Sequence, residues 1–274
     1  MAGKSKDRWW DESFNPVTGC TPISEGCRNC WAARMVKRFP QLHGADDCDH
    51  GCTTPHPRPF SKIKFHPPRL DQPLRWKKPR RVFVCSMGDL FHEDVPGEWV
   101  DMVIGATRLT PQHIFMVLTK RPERMWEYFA SHPGKQMHRT NMAAQNMVKP
   151  ARFICPDSSS VWPRHNLWLG VSVCTRKEKP WLDILRKTPA ALRYVSFEPI
   201  LEDMGSIDFT GISWAIIGCE SGPGRRLTPA GAMRDVKNQC VAAGIPVFVK
   251  QADINGKLVK MPPLDGKVWD EVPG

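Results

Sequence analysis

The residues best suited to chemistry are three cysteines in one short stretch of the chain: Cys20, Cys27 and Cys30. Six residues separate the first pair and two separate the second, and Pro22 and Gly26 mark the stretch as a loop. A structural zinc site needs four protein ligands. Three clustered thiols instead suit an iron–sulfur cluster, whose irons take thiolate sulfur. The pattern therefore favours a cubane cluster with one iron left open for a small molecule.

An open iron of this kind is what radical S-adenosylmethionine (SAM) chemistry requires, because the amino and carboxylate groups of SAM chelate it. The usual spacing in that chemistry is three residues and then two, whereas this chain has six and then two. Two other interpretations stay open. The thiols could form a zinc knuckle completed by a distant His or Cys, or they could share no ligand at all.

The charge of the chain points to an anionic partner. Its 274 residues include 39 Lys and Arg against 28 Asp and Glu, a formal net charge of +11. Such a surplus attracts polyanions, so we expect nucleic acid or a nucleotide-containing substrate. Residues 58–81 concentrate nine of the cations and interleave them with Phe60, Phe65 and Trp76. That run suits a nucleic-acid groove, with a solvated basic loop as the alternative.

The cysteine content indicates a reducing compartment. The first residues are charged rather than apolar, and no apolar run is long enough to span a bilayer. We therefore expect a soluble, cytoplasmic protein without a membrane partner, in which clustered cysteines bind metal or do redox work. Cys48 and Cys52, with histidines nearby, are either a second metal site or a surface insertion with free thiols, and the insertion is favoured.

The elements that must position these residues follow a regular alternation. Apolar runs that predict buried strands, most of them followed by helical patterns, cover 82–85, 114–118, 167–173, 192–197, 212–217 and 245–249. Six or seven strands alternating with helices predict a parallel α/β architecture, either a barrel or an open sheet. We expect one domain over 1–274, with irregular insertions at about 40–80 and 131–165 and a turn-rich tail at 252–274.

Polar residues gather where the predicted strands end. These positions are the loop Ser86, Met87, Gly88 and Asp89, in which Ser86 and Asp89 are polar, and the single residues Lys120, Arg121, Ser172, Glu198, Glu220 and Lys250. Barrels and doubly wound sheets bind their ligands at the carboxyl ends of parallel strands, so these residues predict an active site. Cys85, Cys174 and Cys219 lie within or beside strands, where we expect them to pack as small apolar groups.

Seven segments in order resemble the phage-associated three-cysteine family, which is related to radical-SAM proteins. The segments are 15–20 with the cysteine triplet, 86–91, 118–122, 169–173, 197–199, 218–224 and 249–251. The resemblance covers residues 9–251. It implies a partial (βα) barrel of radical-SAM type, with SAM as cofactor and a [4Fe–4S] cluster on Cys20, Cys27 and Cys30. The long first cysteine gap and the two insertions depart from the family pattern.

The resemblance also implies roles for the residues at the strand ends. The loop Ser86–Asp89 would meet the amino group of SAM, with Asp89 as its acid. Lys120 and Arg121 would take the carboxylate of SAM or a substrate phosphate. Ser172 and Glu198 would lie near ribose hydroxyls. Lys250 and Glu220 are the candidate catalytic residues, Lys250 toward the substrate and Glu220 in a glycine-rich loop that suits an anion. For each there is an ordinary alternative: a turn, a solvated side chain or a hydrogen bond at the rim.

Trp31 directly follows the last cysteine of the triplet, and two roles stay open for it. Its ring could pack against the adenine of SAM, or it could be an ordinary core residue.

The function implied is a radical-SAM isomerase that acts on a modified thymidine in phage DNA, within the cytoplasm of a bacterial host. It would move a glycine on the thymine 5-methylene from its nitrogen to its α-carbon, in a hypermodification pathway that protects viral DNA from restriction. The cluster would need a reductant. The alternatives are a zinc-stabilised nucleic-acid-binding protein without catalysis, and a radical-SAM lyase, methyltransferase or repair enzyme with another substrate.

Overall fold

The structure is a computed structural model that describes residues 8–46, 56–130, 133–147 and 162–274. Cys48, Cys52 and Cys155 lie outside these ranges, so the suggested second metal site is outside the described residues. Two short antiparallel strand pairs form separate sheets: β2 (Val17–Thr18) with β5 (Lys64–Phe65), and β3 (Ala45–Asp46) with β4 (His56–Pro57).

One curled sheet of eight strands forms a half-barrel. Its strands, in spatial order, are β1 (Glu12–Phe14), β6 (Arg81–Val84), β7 (Ile114–Thr119), β8 (Leu167–Ser172), β9 (Leu192–Phe197), β10 (Trp214–Gly218), β11 (Val247–Ile254) and β12 (Lys257–Lys260). All neighbours pair in parallel except the last pair, in which β12 runs antiparallel to β11. We call the end where the parallel strands finish the mouth.

Six α-helices accompany the sheet in the described ranges. They are α1 (Trp31–Arg38), α2 (Gly97–Arg108), α3 (Pro122–Ala130), α4 (Pro133–Met147), α5 (Pro180–Lys187) and α6 (Ala232–Ala242). Apolar residues of α2, α3, α5 and α6 belong to the same buried cluster as the strands. In contrast, α1 packs through Ala32 and Val36 against Met87, beside the mouth.

Alternation along the strands separates two cores. Residues such as Val117, Val171 and Ile217 face the helices on the convex side. The intervening residues fill the concave side with a mainly aromatic cluster: Trp9, Met116, Trp168, Tyr194, Trp214, Ile216 and Phe248. Successive side chains of a strand point to opposite faces. Lys120, Ser172, Glu198 and Lys250 lie an even number of residues after concave-side residues of their strands, so they face the concave side as well.

The predicted mixed α/β class and the positions of the six apolar strands are confirmed. Three expectations were incomplete. The sheet has eight strands because β1 and β12 extend its edges. The segment expected to be an irregular insertion contains α4, which packs on α2. The tail adds β12, and its Glu271 carbonyl accepts a 2.9 Å hydrogen bond from Trp214 Nε1. Within the described ranges, none of the helices has the length and apolar character that crossing a bilayer requires.

A candidate active site at the mouth of the half-barrel

The cysteine loop, residues 19–30, is attached to the mouth at its beginning. Gly19 N donates to the Met87 carbonyl and Cys20 N to the Phe60 carbonyl, each at 2.9 Å. The loop then tightens, since Cys30 N donates to Cys27 O at 3.1 Å. Cys30 is the N-cap residue of α1, so the loop passes directly into that helix.

Gly26 brings the cysteine loop into direct contact with two strand ends. A Cβ atom at this position would overlap the Cys174 sulfur and lie 3.5 Å from Lys120 Cε. Lys120 directly follows β7, and Cys174 lies two residues beyond β8. The loop therefore lies across the mouth, and only a residue without a side chain permits this approach.

The three thiols of the loop are free and partly exposed. Burial raises the pKa of Cys20 to about 12, with further contributions from Asp89 and Cys27, although Arg121 acts in the opposite direction. Arg121 Nη1 lies 3.5 Å from the Cys20 sulfur. The Cys20 thiol thus stays protonated near neutral pH, and a metal that binds it would have to displace the proton.

The spacing of the thiols bears on which metal group they fit. Four sulfurs at 2.3 Å from one zinc ion would stand about 3.8 Å apart. In the part of the chain that the structure describes, no group of three or more His, Cys, Asp or Glu residues is arranged to hold a metal ion, and the three cysteines of the loop do not form such a group. A cubane differs because each cysteine binds a different iron, so its sulfurs stand farther apart. The chemistry of the donor set, three thiols on one loop, suits a cluster of this kind.

The predicted Ser86–Asp89 loop forms a frame beneath the cysteine loop. Asp89 is buried and accepts from Thr119 Oγ1 at 2.7 Å, Phe91 N at 3.0 Å, Lys120 N at 3.2 Å and Arg121 Nη1 at 3.4 Å. The carboxylate thus joins the ends of β6 and β7.

The remaining residues of the Ser86–Asp89 loop also make contacts within the chain. Asn15 Oδ1 accepts from Ser86 Oγ at 3.1 Å and from Met87 N at 3.0 Å, and Gly88 bridges to Gly19. These contacts fix the point from which the cysteine loop departs.

Lys120, Ser172 and Cys174 form a polar cluster at the centre of the mouth. Lys120 Nζ donates to Ser172 Oγ at 2.5 Å and lies 3.4 Å from Cys174 Sγ. Burial alone would lower the pKa of Lys120, but Cys174, Cys27 and Glu178 outweigh burial and raise it. The ammonium group is therefore charged and stands beside the cysteine loop.

An ion pair occupies the opposite side of the mouth. Lys250 Nζ lies 2.9 Å from Glu198 Oε1, and Ser196 Oγ donates to Glu198 Oε2 at 3.4 Å. A Cβ atom on Gly218 would stand 2.6 Å from Glu198 Oε1, so this glycine makes room for the carboxylate. Lys250 also lies 5.9 Å from the Trp10 ring centroid. Both charged groups are partly exposed, so a ligand could reach them.

Glu220 connects the cysteine loop to the loop after β10. It accepts from Asn29 Nδ2 at 2.7 Å, from Arg226 N at 2.8 Å and from Arg226 Nη2 at 2.5 Å. Arg34 of α1 donates to the Ser221 and Pro223 carbonyls. The buried Glu220 carboxylate is thus fully occupied by contacts within the chain.

The structure brings the predicted site residues of six strand ends to one mouth and adds residues that the sequence did not single out. Cys85 and Cys219 pack in the convex core as expected, but Cys174 belongs to no apolar cluster and contacts Lys120 instead. Cys174 lies two residues after Ser172, so the alternation of a strand predicts both side chains on the same face, and this spacing could have revealed the contact. Arg226 was missed because its role depends on a tertiary contact: it pairs with Glu220, which in turn holds Asn29 of the cysteine loop. Trp31 is 49% exposed, so the alternative that it is a core residue is wrong.

The basic run at 58–81 is divided between the two ends of the half-barrel. Lys62 lies beside the cysteine loop, since the carbonyls of Phe60 and Lys62 contact Gly19. Lys77 and Lys78 instead precede β6, at the end opposite the mouth. The run is therefore not one continuous groove. Two clefts of about 680 Å³ each lie on the outer surface, one between α2 and α4 and one beside the end of α6.

A family model described as Protein of unknown function (DUF5131) matches residues 4–273. No curated protein and no solved structure matches the chain. Since the family model covers nearly the whole length, the chain belongs to the DUF5131 family.

Proposed function

We propose that this protein is a radical-SAM isomerase that acts on a modified thymidine in phage DNA, converting an N-linked glycyl group to its Cα-linked form. The observation that carries the radical-SAM part is the loop with three thiols, which lies across the mouth of the half-barrel against Lys120 and Cys174. The substrate and the isomerisation rest on the seven sequence segments that resemble the phage-associated family.

Cys20, Cys27 and Cys30 would hold the [4Fe–4S] cluster, with its fourth iron left for SAM. When bound, the cluster supplies the electron that cleaves the sulfonium of SAM and so starts chemistry at a carbon that no base deprotonates easily. Arg121 donates toward the Cys20 sulfur and would compensate thiolate charge. Glu220 and Asn29 hold the loop in place rather than react.

The polar groups that face the concave side would bind SAM and substrate. Lys120 presents a charged ammonium for the SAM carboxylate, and Ser172 a hydroxyl for a ribose. Glu198 and Lys250 lie across the mouth, where their ion pair would open to receive the substrate. Asp89 already accepts four hydrogen bonds, so we assign it to the frame, with the backbone carbonyls near it left to meet the SAM amino group.

Anaerobic reconstitution with iron and sulfide tests the cluster. We expect a brown protein with four irons that yields 5′-deoxyadenosine when dithionite and SAM are added. Replacing any of the three loop cysteines by Ser should abolish both results. Cys174→Ser is the matched control, since that thiol contacts the loop without belonging to the donor set, and it should retain iron. A colourless protein carrying zinc, or iron lost in Cys174→Ser, would contradict the open cluster and favour a zinc-stabilised nucleic-acid-binding protein.

Mass spectrometry of nucleosides tests the substrate. Phage DNA that carries glycyl-thymidine, incubated with the reduced enzyme and SAM, should yield a nucleoside of unchanged mass and altered retention time. A lyase or a methyltransferase would change the mass. Reaction of free amino acids without reaction of DNA would refute the DNA substrate while leaving the radical chemistry in place.

A further inference from the structure

Four exposed cations lie on the cysteine loop and the segments next to it: Arg28 on the loop, Lys37 and Arg38 at the end of α1, and Lys62 before β5. None of the four pairs with a carboxylate in the described part of the chain, and the Arg38 guanidinium lies 5.1 Å from the centroid of the Phe39 ring. Cations that have no internal partner keep their full charge available to an external anion.

The opposite end of the half-barrel differs in this respect. Arg75 pairs with Asp71, Arg80 lies 3.8 Å from Glu12, and Arg81 lies 3.9 Å from Asp11. Only Lys77 and Lys78 of that group are exposed without a described partner. Most cations of the basic run at that end are therefore paired with carboxylates, which the four cations near the mouth are not within the described residues.

Three exposed apolar side chains lie on the loops that surround the mouth. Ile23 is 44% exposed, Trp31 49% and Leu227 67%. Single exposed apolar residues are ordinary, but these belong to segments that are bonded together. Asn29 Nδ2 donates to Gly224 O at 3.3 Å, and Arg226 Nη2 donates to Glu25 O at 3.0 Å. Cysteine loop, α1 and the loop after β10 thus form one rim, which carries both cations and apolar groups.

We propose that this rim, together with the neighbouring Lys62, binds DNA, with the phosphates on Arg28, Lys37, Arg38 and Lys62, and with Trp31 stacked on a base that has left its neighbours. Aromatic rings between cations are the usual means of holding single-stranded nucleic acid. A base within a duplex cannot reach a mouth covered by a loop, so it must be extruded. Trp31 is adjacent to Cys30, which places the stacked base next to the reaction site. The assignment rests on the proposed function for its DNA partner.

Fluorescence anisotropy with a labelled single-stranded oligonucleotide tests the role of Trp31 in the full-length protein. Trp31→Ala should weaken binding by about 5- to 100-fold, the range of one lost base stack. Trp31→Phe should retain most of the affinity because the ring remains. Trp126 on α3, which is 40% exposed, supplies the matched control, and Trp126→Ala should bind like the unmodified protein.

Salt titrations test the cations. K37Q/R38Q should reduce the slope of log K against log salt by about 1.4, since each phosphate contact on a single strand contributes about 0.7. K77Q/K78Q removes the same charge at the other end and should leave the slope unchanged. Equal effects of the two pairs, or equal binding by Trp31→Ala and Trp126→Ala, would overturn the proposed surface.

Iron content and SAM cleavage without DNA separate this surface from the proposed function. DNA binding that requires Trp31 in a protein without iron would retain the surface and refute the radical chemistry. If Trp31→Ala cleaves SAM poorly in the absence of DNA yet binds DNA normally, Trp31 contacts the adenine of SAM and the surface assignment is wrong. Normal SAM cleavage with weakened DNA binding is the result we expect.

Discussion

Glu220 shows how a single residue can hold a site together without reacting. Burial alone would raise its pKa, but hydrogen bonds from Arg226 and Asn29 outweigh burial and lower the pKa from 4.5 to about 2. The carboxylate is ionised at all ordinary pH values, with both oxygens engaged. It therefore suits neither proton transfer near neutral pH nor direct substrate binding.

The shifted pKa predicts an acid-dependent loss of stability. Because the folded-state pKa lies below the unfolded one, the carboxylate stabilises the fold fully above about pH 4.5, and the effect disappears as the pH falls toward 2. We expect Glu220→Gln to lower the free energy of unfolding by about 3 kcal/mol at pH 7, with the difference shrinking below pH 4.5. Urea unfolding at a series of pH values measures this.

The exposed Glu127 on α3 provides the control for that measurement, since it has no hydrogen-bond or ion-pair partner among the described residues. Glu127→Gln should leave stability unchanged at every pH. The free energies of unfolding of Glu220→Gln and the unmodified protein should converge as the pH falls. A difference that stays constant from pH 7 to pH 3 would contradict a stabilising ion pair between Glu220 and Arg226.

Residue types at the strand ends were predictable from the sequence, but their partners were not. Lys120 and Glu198 follow apolar strands, Ser172 ends β8, and Lys250 follows the apolar first part of β11. Their gathering at one edge follows from parallel pairing. The contact of Cys174 with Lys120 depends on how far the sheet curls and on where the cysteine loop crosses it. Such contacts join residues far apart in the chain, and local patterns do not encode them.

Among the elements, the cysteine loop depends most on close packing. Gly26 is the point at which its backbone contacts the end of β8. A loop seated in this way has little freedom to move its thiols, which favours a fixed donor set.

Gly26→Ala should displace the loop, because the new methyl group would overlap the Cys174 sulfur. We expect about 1–3 kcal/mol of destabilisation, as for other overpacked sites, together with reduced iron after reconstitution. Cys174→Ala should relieve part of the overlap, so the double variant should be more stable than additivity predicts. Urea unfolding and iron assays measure both effects.

Gly97→Ala is the corresponding control, since nothing lies within 4 Å of the added methyl group at the start of α2. It should leave iron content unchanged. If Gly26→Ala behaved in the same way, the loop would not be seated on Cys174, and the main structural support for the proposed function would be lost.

The helix that the sequence did not reveal has a physical explanation. The face of α4 that meets α2 is built from small residues: Thr140 O and Ala144 N stand 3.0 Å from a Cβ placed on Gly105. Close packing of this kind requires small side chains, so it leaves only a weak apolar periodicity in the sequence. The strands were easier to recognise because their buried residues are large and β-branched.

At the scale of the whole molecule, the half-barrel has no strand pairing that closes it. The edge strands β1 and β12 do not meet in the sheet order. Trp9, only 1% exposed, fills the interior instead, with its ring centroid 4.7 Å from Phe83, 5.8 Å from Trp214 and 6.1 Å from Tyr194. It thus joins strands β6, β9 and β10 across the concave side.

Trp9→Ala therefore tests whether the segment before β1 closes the fold. Removing a fully buried Trp leaves a cavity that touches several strands, so we expect the free energy of unfolding to fall by about 3–5 kcal/mol. Trp9→Phe should cost less because part of the ring volume remains. Trp126→Ala, at an exposed site, should change stability by no more than about 0.5 kcal/mol. If Trp9→Ala lowered the free energy of unfolding no more than Trp126→Ala, the concave core would be stable without the Trp9 side chain. The polar groups at the mouth would then be positioned by the strand pairing alone.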